Sequence, residues 1–263
     1  MIKLFRKIRQ KMLAENKFSK YLIYAIGEII LVVIGILIAL GINNWKEERL
    51  VNLQIKTNLI NLSTAINQDL ELLKEIEEVN DFRMNSILQI LKWTEIPLPE
   101  IDTIPIKLMN TSKWEGAVPE TFDADFLKKS FWSIQSPLRM VVQTYAIEEL
   151  KNSGLYSKLD NQELKILLNK YYSDLKWFFG PDELFENKTV DEYKNYILIK
   201  YNLIVLDVPY VDNFLEGIKK DAGLVARLRD VAGNAGWRIY GANTSRNRAE
   251  LLLKQIQAEI DQL

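Results

Sequence analysis

Hydrophobic residues are distributed along this chain in two different ways. Between Tyr21 and Ile42 they form a nearly unbroken run, YLIYAIGEIILVVIGILIALGI, whose one ionisable residue besides the tyrosines is Glu28. From Trp45 onward they recur every three or four positions, at Ile55, Leu59, Leu62, Ile66, Leu70, Leu73 and Ile76, with polar and charged residues between them. An α-helix rises about 1.5 Å per residue, so the run spans about 33 Å, which matches a hydrocarbon core of about 30 Å. It predicts a transmembrane helix over 21–42. The spaced pattern predicts an amphipathic helix. Because neither Gly nor Pro occurs between Trp45 and Trp93, that helix should be long, cover 43–93 and continue the first.

Punctuation then becomes frequent. Four of the seven prolines fall within 94–120, and 94–135 reads as a Pro-containing connector. Ser136-Pro137 predicts the start of a helix running through Leu150, with Gly154 just beyond it. Asp160 with Glu163 has capping-box spacing and opens a helix bearing Leu164, Leu168, Tyr171, Leu175 and Phe178, stopped by Gly180-Pro181. Thr189 is a candidate cap for a third helix carrying Val190, Tyr193 and Ile197. Residues 203–210 have no partner strand and read as an extended linker. Residues 221–263 are helical again, and Gly233, Gly236 and Gly241 within them predict a kink, a break or a close helix crossing, since each glycine costs about 1 kcal/mol in a helix interior. The expected fold class is all-α. A single transmembrane helix continues into a long helix, and 136–263 form an extracytoplasmic antiparallel helical bundle packed back on 43–93.

Charge orients the anchor. Lys3, Arg6, Lys7, Arg9, Lys11, Lys17 and Lys20 precede the run against the single acid Glu15, while the chain as a whole has a net charge of −1. The part beyond the run is therefore acidic. The positive-inside rule places the N-terminus in the cytoplasm, and Tyr21 and Trp45 mark the two interfaces. Within 1–20, Leu4, Phe5, Ile8 and Met12 recur at helical spacing among Arg6, Lys7, Arg9 and Lys11. This predicts an amphipathic segment on the membrane surface whose basic residues meet lipid headgroups; a disordered basic tail is the alternative. A signal peptide cleaved at Ala39-Leu40-Gly41 competes with the anchor, but a basic region of about 20 residues is long for one. The acidic exterior argues against nucleic acid. The chain contains no Cys and no His, which excludes disulfides, Cys/His zinc sites and the commonest general base. No cofactor is expected.

The opening string FRKIRQKMLAENKFSKYLIYAIGEIILVVIGILIALGINNW resembles the N-terminal signature of a large family of single-pass membrane proteins of unknown function from Bacteroidota. TYAIEELKNSG at 144–154 and the LDNQELKILLNKYY segment after it are similar to a second block of that family. The resemblance implies a bacterial inner-membrane protein with a periplasmic helical domain. It brings no activity and no functional residues with it.

Within the run, Tyr24, Ala25, Glu28, Val32, Gly35, Ala39 and Asn43 fall within an arc of roughly 100° on a helical projection. An acid in a bilayer is costly and ordinarily faces a partner or cavity. Gly35-x-x-x-Ala39 is a small-xxx-small pair that lets two helices approach closely. Tyr24, Glu28, Gly35, Ala39 and Asn43 are thus the candidate helix–helix interface, with a second copy or another membrane protein as partner. The competing view has Glu28 snorkelling to the near interface or bonding Tyr24. Elsewhere, Asp102-Thr103-Ile104 is similar to the short acceptor pattern for periplasmic O-glycans, which makes Thr103 a candidate modification site. Acidic pairs such as Glu77-Glu78 read as solvated helix faces, and the 233–241 glycines as a helix crossing rather than a phosphate loop. Tyr171, Tyr172, Trp177, Phe178 and Phe179 read as core. The expected function is that of an interaction or scaffold protein, with a periplasmic sensor or ligand-binding module as the alternative and an enzyme as the least supported class.

Overall fold

A single α-helix, α1 (Phe18–Trp93), carries both hydrophobic patterns. The computed structural model describes residues 18–96, 109–110, 113–136, 138, 140–180, 184–204, 207 and 211–263. Nearly all of these are helical: α2 (Ala124–Gln135), α3 (Tyr145–Asn152), α4 (Leu155–Lys158), α5 (Gln162–Phe179), α6 (Leu184–Tyr201), α7 (Val211–Lys219) and α8 (Ala222–Gln262) follow α1. The strand content among the described residues is two dipeptides, β1 (Met109–Asn110) and β2 (Glu115–Gly116), paired antiparallel. The chain divides into two units after Lys56.

In the first unit, α1 contains a stretch long and apolar enough to cross a membrane, and no other described helix does. Ile29, Leu31, Val32, Ile36, Leu37 and Ile42 are all more than half exposed.

The second unit is organised by a seam. Along α1 one fully buried stripe runs Leu59, Leu62, Ile66, Asp69, Leu73, Ile76, Asn80, Arg83, Ile87 and Ile90, with Thr94 just past the helix end. Their spacing alternates strictly between three and four residues, so one stripe of the helix faces inward throughout. On α8 the buried series Leu224, Leu228, Val231, Ala235, Arg238, Ala242, Ser245, Ala249, Leu252, Ile256 and Glu259 has the same alternation. The two helices are antiparallel: Arg246 and Asn243 reach Glu77, and Gly236 faces Met84.

The third member of this packing is built from two helices. α5 lies antiparallel to α8, through Asn161 to Glu259, Asp174 to Arg248 and Phe178 to Gly241. α6 continues in the same register, through Tyr196 to Arg227 and Tyr201 to Asp221. Gly180 ends α5 by donating its N–H to the Lys176 carbonyl at 2.9 Å, and Pro181 follows in the sequence. α2 and α7 close around the far end of α1, with Leu127, Phe131, Ile134, Phe214 and Ile218 joining Ile87, Ile90 and Leu91 in one cluster.

Several expectations need correction. The segment 94–135 is not all connector, because α2 occupies its last twelve residues and buries Phe126, Leu127, Phe131 and Ile134. Its cap is Asp123, whose carboxylate accepts the Phe126 N–H at 2.7 Å. Ser136-Pro137 opens no helix; the next one begins at Tyr145, and the described residues between have no regular secondary structure, with Met140 buried. Gly154 does punctuate that region, in the left-handed conformation (φ 75°) that favours glycine. The cap of α5 is Asn161 rather than Asp160, its amide oxygen accepting the Leu164 N–H at 3.0 Å. Thr189 caps nothing, since it lies inside α6. The glycines leave α8 unbroken. Gly241 marks the helix crossing, with the Phe178 ring against it, while Gly233 has open space where a Cβ would stand.

Candidate functional site

The spanning segment is the first candidate. Helical geometry puts Ala25, Glu28, Val32, Gly35, Ala39 and Asn43 on one side of α1, where Val32, Gly35, Ala39 and Asn43 are exposed. A Cβ built on Gly35 meets no atom within 4 Å. Ala39 is exposed, and Glu28 is partly shielded. Asn43 donates its side-chain N–H to Glu47 Oε1 at 2.9 Å, one turn on, so its amide is engaged within the helix. The Tyr24 side chain lies outside the described residues, as do Arg6, Lys7, Arg9, Lys11 and Thr103.

The second candidate is the polar part of the seam. Asp69 occupies a core position on α1, where Tyr171 of α5 donates its hydroxyl to Oδ2 at 2.9 Å. Burial lifts the Asp69 carboxyl to about 6, despite the opposing hydrogen bonds from Tyr171 and the Gln143 backbone. Tyr171 and the adjacent Tyr172 are pushed up, first by burial and then by the Asp69 charge.

Further along, Arg83 is fully buried and Arg238 nearly so. Each guanidinium binds the end of a helix: Arg83 Nη2 donates to the Ile134 carbonyl at 3.1 Å, and Arg238 Nη1 to the Phe178 carbonyl at 3.2 Å. Those carbonyls belong to the last turns of α2 and α5, which have no partner further along the helix and carry the negative end of its dipole. Burial, and secondarily Arg238, lowers Arg83 to about 10, so it stays charged at neutral pH. Nε and Nη1 of Arg83 are buried without a hydrogen-bond partner among the described residues.

The third is Asp221, the cap of α8. Its Oδ1 accepts the N–H groups of Gly223 and Leu224 at 3.0 and 3.2 Å and the Tyr196 hydroxyl at 2.7 Å. Oδ2 accepts the Tyr201 hydroxyl at 2.6 Å and the Lys200 ammonium at 2.8 Å. Burial alone would raise this carboxyl, but the bonds from Lys200, Tyr201 and Tyr196 outweigh it and hold the group well below the usual range. Every lone pair is occupied, so Asp221 is a structural staple. Glu77 likewise turns out to be engaged, by Arg246 at 2.8 Å, rather than standing on a solvated face.

Among the described residues no three acids cluster closely enough to hold a metal ion. Comparison of the chain with protein-family models, curated proteins and solved structures returns no match.

The sequence reading missed Asp69, Arg83 and Arg238 as core residues. The signal was present: each continues a three–four series of apolar neighbours. A polar residue interrupts the eye but not the spacing.

Proposed function

We propose that the chain is a single-pass membrane protein acting as an interaction or scaffold protein, a member of the Bacteroidota family its opening string resembles. Residues 21–42 cross the inner membrane, the basic N-terminus is cytoplasmic and the helical domain is periplasmic. Association runs through the face carrying Glu28, Gly35 and Ala39, against a second copy or another membrane protein. What supports this most is the exposure of the small residues on that face. The helices of the second unit bury their seams against one another, whereas in the spanning run Gly35 and Ala39 are exposed. A carboxyl at bilayer depth costs about 2.5–3.5 kcal/mol on insertion scales, a penalty that a hydrogen-bonding neighbour reduces.

The lack of cysteine makes the test clean. Single cysteines placed in turn along 31–43 are oxidised in native membranes. The expected result is disulfide-linked dimers peaking at positions 32, 35 and 39. A flat profile, with no co-purifying membrane protein lost on Gly35→Leu, contradicts the proposal.

A further inference from the structure

The solvent side of α2 departs from the charge of the domain around it. α2 buries Phe126, Leu127, Phe131 and Ile134, which leaves Asp125, Lys128, Lys129 and Trp132 on the outer face at helical spacing. With Lys113, Trp114, Ser133 and Phe82 of α1 they line an open groove of about 810 Å³. Pockets for small ligands run to roughly 300–1,000 Å³. Three lysines and one acid line it, in a chain that is acidic beyond its spanning run. Lys128 and Lys129 have no ion-pair partner among the described residues.

The two indoles are placed differently. Trp114 is fixed: its ring meets Phe126 edge-on at 5.0 Å, its Nε1 donates to the Ala117 carbonyl at 3.1 Å, and the Lys129 ammonium lies 5.0 Å from its ring centroid. Trp132, which also lines the groove, is 49% exposed. A large apolar ring left half in water beside Lys128 and Lys129 is a combination suited to a ligand with an apolar face and a negative charge.

We propose that this groove binds a short acidic saccharide, one pyranose ring stacking on Trp132 and its carboxylate meeting Lys128 and Lys129. The C–H face of a pyranose supplies the apolar contact, and the groove volume accommodates two or three rings. A long polyanion such as single-stranded nucleic acid also stacks on aromatics in basic grooves, but the acidic surface beyond this short patch opposes it. The proposal is independent of the association through the spanning helix.

Titration calorimetry on the full chain in lipid nanodiscs tests it, with trigalacturonate, maltotriose, hexathymidylate and a hexaglutamate peptide as probes. Trigalacturonate is expected to bind at least tenfold tighter than each of the other three. Trp132→Ala and Lys128→Gln should each weaken it tenfold or more, and 0.5 M salt should weaken it further. Both substitutions are at exposed positions, and unchanged melting temperatures would show that the fold is intact. Equal binding of maltotriose removes the role of the lysines. Equal or tighter binding of the nucleotide or the peptide overturns the ligand class, and trigalacturonate binding unaffected by both substitutions, or absent, overturns the site.

Discussion

The ring of Phe178 occupies the place where a side chain on Gly241 would begin: a Cβ there would stand 2.8 Å from Cγ and Cδ1 of the phenyl group. Phe178 is buried, and its carbonyl is the one that Arg238 binds. The α5–α8 crossing therefore depends on a missing methyl group. Gly241→Ala should destabilise the domain by about 1–3 kcal/mol through overpacking, despite the better helix propensity of alanine. Gly233→Ala, in the same helix with open space around it, should instead stabilise by roughly 0.5–1 kcal/mol. Thermal unfolding of the two variants should move in opposite directions.

Asp69 and Asp221 give opposite pH dependences. The folded-state value of Asp69 is raised from 3.8 to about 6, so the folded form holds its proton more tightly than the unfolded chain. Stability from this group is greatest below pH 4 and falls as pH rises towards 6, by roughly 3 kcal/mol in all. Denaturant unfolding between pH 4 and 7 should show that slope. Asp69→Asn keeps an acceptor for Tyr171, removes the titration, and should flatten the slope while raising stability at pH 7.

Asp221 works the other way. Its carboxyl is depressed in the folded state, so its contribution is present above about pH 4 and is lost as pH falls below that. Asp221→Ala removes a helix cap and leaves the Tyr196 and Tyr201 hydroxyls without their acceptor. We expect a loss of about 2–4 kcal/mol at neutral pH. A loss below 1 kcal/mol in denaturant titration would contradict the staple role.

Arg83 and Arg238 should be intolerant of truncation. Arg83→Ala strips the Ile134 carbonyl of its donor and opens a cavity at a fully buried position. A cost of about 2–4 kcal/mol follows, measurable as a lowered unfolding midpoint.

These residues also explain what could be read from the chain and what could not. The boundaries of α1 at Trp93, α5 at Gly180-Pro181 and the extent of α8 follow from local chemistry, and the structure agrees. The seam was read through Leu70, because leucine is apolar, whereas the buried stripe passes through Asp69 and leaves Leu70 only partly covered. Only packing identifies such a position, since Tyr171 supplies its partner from 102 residues away. α2 was hidden by the prolines before it, although Phe126, Leu127, Phe131 and Ile134 already carried helical spacing. Ser136-Pro137 carries a starting signal that the tertiary structure overrides, with Met140 buried in chain of no regular secondary structure. The spanning face is the reverse case. Its asymmetry is legible in the sequence alone, and the structure adds that Gly35 and Ala39 on it are exposed.

The most direct measurement is the fraction of the full-length protein recovered in complexes after crosslinking in native membranes, compared across the wild type, Glu28→Leu and Gly35→Leu. The proposed face predicts that both substitutions deplete those complexes at least several-fold while leaving expression and membrane insertion intact. Complexes of unchanged abundance in both variants would contradict it.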